Sequence, residues 1–201
     1  MTKPAVDFWF DFASTYSYLA AARIRTLAAD MKVAITFRPF LLGPIFKTQG
    51  WDTSPFNLYP AKGRYMWRDL ERQCADQGLP LKRPDPFPQH SVLAARVALI
   101  GLGQDWGDDF CVNVFRAQFG EGRSISEPAT LAAVLADLNV VAEPVLAAAQ
   151  ADDNKARLRT QTEDAARYNI FGAPSFTTSD GELFWGNDRL EQALAWARRL
   201  G

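Results

Sequence analysis

Histidine is almost missing from this chain. His90 is the only one in 201 residues, which excludes a multi-histidine metal site. Cysteine is nearly as scarce, and Cys74 and Cys111 form neither a CxxC pair nor a metal-ligand spacing. No apolar run reaches the roughly 18 residues of a membrane span. Charge of one sign is not in excess either. The 22 Lys+Arg and 23 Asp+Glu leave a net charge of −1, without the basic surplus that a nucleic-acid partner demands. The opening Met1-Thr2-Lys3-Pro4 runs straight into Asp7 and Asp11, so no signal-peptide core is expected. The two cysteines are then expected as free thiols in a reducing cytoplasm.

What is present is apolar and aromatic. With 14 Phe, 6 Trp and 5 Tyr, and 48% hydrophobic residues, the chain is too apolar to stay disordered. It can bury a sizeable core in one domain, or in one domain with a large insertion.

The chain reads strand, helix, strand at its start. Val6, Phe8, Phe10 and Phe12 alternate with Asp7, Trp9 and Asp11, the period of a strand. Tyr18–Ala29 is rich in helix formers, and Val33–Phe37 is a second strand ended by Pro39. Residues 42–60 carry Gly43, Pro44, Gly50, Pro55 and Pro60, and are expected as a long irregular loop. Helices are predicted over Ala61–Gln77, Gln89–Leu102, Asp105–Phe119, Glu127–Asp137, Glu143–Ala151 and Asp153–Tyr168. Ser126 is read as a helix cap ahead of Pro128. Ser175–Thr178 and Glu182–Trp185 form a hairpin across Asp180-Gly181, and Arg189–Leu200 is an amphipathic helix. The two ends make one α/β layer with helices inserted between them. The expected division is 1–45 and 166–201 for the layer, and 46–165 for the insertion.

Two places invite chemistry. Ser14-Thr15-Tyr16-Ser17 opens the first helix, where free N–H groups and the helix dipole favour an anion. A serine hydroxyl there is either a helix cap or a donor to a thiolate or carboxylate. Ala173-Pro174 precedes a strand, where a proline is either trans or a cis residue that exposes backbone to a peptide-like ligand.

The order βαβ, helical block, ββα resembles the thioredoxin-like fold of the DsbA-like superfamily. The segment Asp11-Phe12-Ala13-Ser14-Thr15-Tyr16-Ser17-Tyr18 takes the place of the CxxC pair and holds no cysteine. It resembles the D-F-x-S-P-Y-S-Y start of 2-hydroxychromene-2-carboxylate isomerases and kappa-class glutathione transferases. Pro60-Ala61-Lys62-Gly63-Arg64-Tyr65-Met66, Asp69-Leu70, Phe171-Gly172-Ala173-Pro174-Ser175-Phe176 and Trp185-Gly186-Asn187-Asp188-Arg189 follow in the family's order. The matches run from residue 7 to residue 189, nearly the whole chain.

The resemblance implies glutathione as cofactor. It implies that Ser14 hydrogen-bonds the glutathione sulfur, and that Ala173, before a cis Pro174, pairs with the cysteinyl backbone. Lys62 would meet the glycine carboxylate, and Asn187 and Asp188 the γ-glutamyl end. The implied reaction interconverts a hydroxychromene carboxylate and an open-chain benzylidenepyruvate through a thiolate adduct, in aromatic-compound catabolism. Glutathione and a small aromatic substrate are the implied partners, in a homodimer. A kappa-type transferase is the alternative within enzymes, and a redox-inactive thioredoxin-fold binding protein the alternative outside them. Thr15 departs from the family's proline. Asn57 is the one asparagine available for the kappa asparagine, and it is shifted in register. His90 reads as a loop or capping residue, and Cys74 and Cys111 as core packing.

Overall fold

A computed structural model describes residues 3–201. Four strands form one sheet in the order β2-β1-β3-β4: β1 Ala5–Phe10, β2 Ala34–Pro39, β3 Ser175–Thr178 and β4 Leu183–Trp185. β1 and β2 are parallel; β1–β3 and β3–β4 are antiparallel. The register sets Phe37, Phe8, Phe176 and Phe184 side by side across all four strands. Phe8 stacks on Phe176 at 5.6 Å and meets Phe37 edge-on at 5.3 Å. This buried row is the sheet's half of the main core, and helices α1 (Thr15–Met31) and α10 (Leu190–Leu200) cover it.

The first strand departs from simple alternation, because its second face is also covered. Trp9 and Asp11 are buried, like Phe8, Phe10 and Phe12 with which they alternate. Trp9 packs with Phe40, Ile45, Ala165 and Ile170 in a second apolar cluster, and its indole N–H donates to Thr177 Oγ1 at 2.9 Å. Asp7, farther along the same face, stays half-exposed, paired with Arg38 at 3.4 Å.

The expected loop over 42–60 is instead two short helices, α2 Leu42–Thr48 and α3 Pro55–Leu58. The prolines that suggested a loop stand at helix starts. Pro44 lies in the first turn of α2, and Pro55 is the first residue of α3 behind the Ser54 cap, where a missing N–H removes no helical bond. The buried Asp11 supplies what no local residue does, accepting from Leu42 N–H at the α2 N-terminus (2.7 Å). Helix α4 follows from Pro60 to Gln77 and ends at Gly78 in the left-handed conformation, φ 65°.

The other helices are α5 Val92–Gly101, α6 Gly107–Phe115, α7 Pro128–Asp137, α8 Ala142–Ala149 and α9 Asp152–Arg167. The expected helix ending at Phe119 changes pitch, with Arg116–Gly120 forming a π-helical turn. Ser126 does not cap α7. Glu127 holds that position, and Ser126 Oγ accepts from His90 N–H at 3.1 Å. Phe10 and Phe12 meet Phe115 at 5.6 and 4.9 Å, so the core runs unbroken from the sheet into the helices. Cys74 and Cys111 are free and buried in it. The fold class is the thioredoxin-like one anticipated, βαβ and ββα with the helical block between.

Candidate active site

Three turns of chain meet where β1 gives way to α1. Ser14 caps α1, its Oγ accepting from Ser17 N–H at 3.2 Å. The same hydroxyl donates to the Ala173 carbonyl at 2.9 Å. The Ala173–Pro174 peptide is cis, and Pro174 O accepts from Gly186 N–H at 2.9 Å. Gly186 holds φ 109°, which L side chains avoid, and the chain then turns through Asn187–Arg189 into α10. Ser14, Ala173–Pro174 and the Asn187 turn are thus linked by successive hydrogen bonds. Ala173 N–H has no partner among the described residues, and that backbone is only half-buried.

Asn187 itself is buried and fully engaged. Arg23 of α1 donates from Nε and Nη2 to Asn187 Oδ1, both at 3.2 Å, and from Nη2 to Asn187 O at 2.8 Å. Arg23 also pairs with Glu191. Asn187 Nδ2 donates to Gln73 Oε1 at 2.9 Å. Gln73 Nε2 donates to Asp69 Oδ2 (2.7 Å), and so does the Tyr16 hydroxyl (3.0 Å). Burial and the Asp69 carboxylate hold the Tyr16 phenol well above its ordinary pKa, so it stays protonated and donating. The network closes a ring around the start of α1, from Tyr16 through α4 to Asn187 and back to Arg23.

The remaining expected residues lie at the surface. Asp188 is exposed beside Asn187, its carboxylate 3.1 Å from Arg189. Lys62 is exposed in the first turn of α4, its ammonium 4.7 Å from the centre of the Tyr59 ring. Lys62, Asp69 and Gln73 recur at seven and four residues, so they share one flank of α4. Asn57 donates to Thr53 Oγ1 at 3.2 Å and lines a cavity of its own; it makes no hydrogen bond to Ser14, Ala173 or Asn187 among the described residues.

Sequence reasoning gave no role to Asp11, Arg23, Gln73 or Tyr16. Asp11 accepts Ser14 N–H on its backbone carbonyl (2.9 Å), and its carboxylate accepts from Ala13 N–H (2.9 Å) and Leu42 N–H. Burial raises its pKa in spite of these donors. No acidic residue stands in the first turn of α1, so nothing in that turn offsets the positive end of a 17-residue helix. A hydroxyl, an unpaired backbone N–H and a helix N-terminus therefore lie together around the Ser14–Ala173 hydrogen bond. That combination suits an extended peptide-like ligand carrying an anionic sulfur or oxygen. It does not suit disulfide exchange by this chain's own thiols. Burial pushes Cys74 up to about 11 and Cys111 well above its ordinary value, and neither stands at the start of α1.

The DSBA-like thioredoxin domain model matches residues 5–195. A 2-hydroxychromene-2-carboxylate isomerase of Sphingobium xenophagum is 31% identical over 193 residues, covering 95% of this chain and 96% of its own. Glutathione S-transferase kappa 1 of Caenorhabditis elegans is 36% identical over 85 residues, 42% of this chain and 37% of its own. A solved 2-hydroxychromene-2-carboxylate isomerase superposes with a TM-score of 0.87 at 28% identity, over 98% of this chain and 95% of that one. By extent of match and by fold, the chain belongs to the DSBA-like thioredoxin family, in the branch of the 2-hydroxychromene-2-carboxylate isomerases and kappa-class glutathione transferases.

Proposed function

We propose that this chain is a glutathione-dependent isomerase that interconverts 2-hydroxychromene-2-carboxylate and its open-chain benzylidenepyruvate. The observation that carries the reading is the Ser14 hydroxyl, 2.9 Å from the Ala173 carbonyl at the N-terminus of α1. In the thioredoxin-like fold a redox cysteine opens this helix; here a serine stands in its place.

The residues fit a γ-glutamyl tripeptide. Ala173 offers an unpaired N–H and a carbonyl, the pair that an extended cysteinyl backbone needs. Asp188 is an exposed acceptor for an α-ammonium, and Lys62 an exposed cation for a terminal carboxylate. Asn187 stiffens the turn that presents Asp188, its own polar atoms being held by Arg23 and Gln73. When bound, glutathione supplies the nucleophilic sulfur that this chain's own thiols cannot. Ser14 releases Ala173 O and turns its hydroxyl hydrogen toward a thiolate, while the free N–H groups of the first turn favour negative charge beside it. The serine acts by stabilising charge and forms no bond to substrate. The reaction moves no net electrons, in keeping with a site without a redox pair.

A transferase reading stands second, favoured by the kappa-class relative; conjugation of glutathione to an electrophilic aromatic chloride would mark it. The test is the ionisation of the bound thiol, followed by the ultraviolet absorbance of the thiolate. In Ser14→Ala its pKa should rise by about one to two units, matching the roughly 1.5–3 kcal/mol of a hydrogen bond to a charged group. Turnover near neutral pH should fall about tenfold or more while glutathione affinity changes little. An unshifted thiol pKa would remove Ser14 from the mechanism.

A further inference from the structure

A cavity of about 590 Å³ lies between α3, the first half of α4 and the connector that holds Arg83 and Phe87. Its size falls within the range of small-molecule sites. It does not open on the flank of α4 that meets Tyr16 and Asn187. Trp67 and Glu71 line it, and each stands two residues from a member of the network, Asp69 and Gln73. Two residues on a helix turn the side chain by about 200°, so cavity and network lie on opposite flanks of α4.

The lining has a definite chemistry. Phe56, Trp67 and Phe87 supply flat apolar walls, with Trp67 and Phe87 edge-to-face at 4.8 Å, and Met66 adds a soft floor. Three arginines reach the rim. Arg68 is neutralised by Glu71 at 2.8 Å. Arg64 and Arg83 have no carboxylate partner among the described residues, and Arg83 lies 4.7 Å over the Trp67 ring. A guanidinium stacked on an indole beside an aromatic slot presents its fork to a planar, conjugated carboxylate, which Arg pairs with at two oxygens. The one carboxylate on the wall is already engaged, so the cavity carries a surplus of two positive charges.

We propose that this cavity is a second binding site, for a planar aromatic carboxylate, with Arg83 and Arg64 holding the carboxylate and Trp67 and Phe87 the ring. It is separate from the Ser14 site, although Phe56 also approaches the Tyr16 ring at 6.4 Å. The proposal does not depend on glutathione or on turnover.

The probe is 1-naphthoate, a non-reactive aromatic carboxylate, titrated by calorimetry against the full chain. It should bind saturably, and the neutral 1-naphthamide at least tenfold more weakly. Arg83→Gln and Arg64→Gln sit at the surface and leave the fold intact; each should weaken naphthoate about tenfold while naphthamide changes little. Saturating glutathione and Ser14→Ala should leave the naphthoate affinity unchanged. Failure to bind, equal affinity for the amide, or indifference to both arginine variants would overturn the proposal. So would displacement of naphthoate by glutathione, which would put the ligand at the Ser14 site.

Discussion

Ser14 serves two partners that pull on the same oxygen in different ways. Its lone pair is held by Ser17 N–H while its hydrogen goes to Ala173 O. An alanine at this position therefore removes a helix cap as well as a donor. A lost serine cap costs about 1 kcal/mol, so Ser14→Ala should lower the unfolding midpoint measurably, even without glutathione. An unchanged midpoint would mean that the cap contributes nothing. Asp11 beneath it behaves differently. Its folded pKa lies above the unfolded value of about 3.9, because burial disfavours the charged carboxylate. Below the unfolded value the residue is neutral in both states. As pH rises from there through the folded value, the unfolded chain ionises first and stability is lost. Asp11→Asn removes that slope, since it cannot ionise. Urea midpoints taken from about pH 4 to pH 8 should fall more steeply for the parent than for the variant. Parallel curves would contradict the direction.

The elements were legible where local signals and tertiary environment agreed. The Phe8 row, the Asp180-Gly181 hairpin and the α10 face followed from periodicity and turn chemistry. The 42–60 segment did not, because the group that caps α2 is Asp11, about thirty residues earlier and invisible to a local window. Trp9 and Asp11 read only as the alternate positions of a strand, because what buries them comes from distant parts of the chain. At the site, Ser14 and Ala173–Pro174 could be found because each lies in a short motif. The ring around α1 could not, since its bonds join residues 53, 114 and 164 positions apart. That ring makes its own prediction about α4. Gln73→Leu keeps the bulk and strands Asn187 Nδ2 and part of Asp69. The loss of roughly 1–2 kcal/mol at the Asn187 turn should raise the KM for glutathione about 5- to 30-fold, with a smaller effect on kcat. Steady-state kinetics with glutathione as the varied substrate checks this. A change confined to kcat would show that the ring supports something other than the cofactor turn.

The whole molecule joins a sheet drawn from both chain ends to helices drawn from the middle. Two kinds of contact hold them: the continuous phenylalanine core through Phe10, Phe12 and Phe115, and the polar ring from Tyr16 to Asn187. The first fixes the layers. The second fixes how the Asn187 turn sits against α4. Both are made entirely of the chain's own groups, so the Asn187 turn is positioned by the scaffold. On the function we propose, this scaffold, with a serine where a redox cysteine would stand, draws its reactive sulfur from glutathione. The direct measurement is the rate at which the purified chain converts 2-hydroxychromene-2-carboxylate to the benzylidenepyruvate, with glutathione added and with it removed. The expected result is saturable, glutathione-dependent isomerisation that vanishes without the thiol and is not restored by S-methylglutathione; an equal rate with and without glutathione would contradict the proposed function.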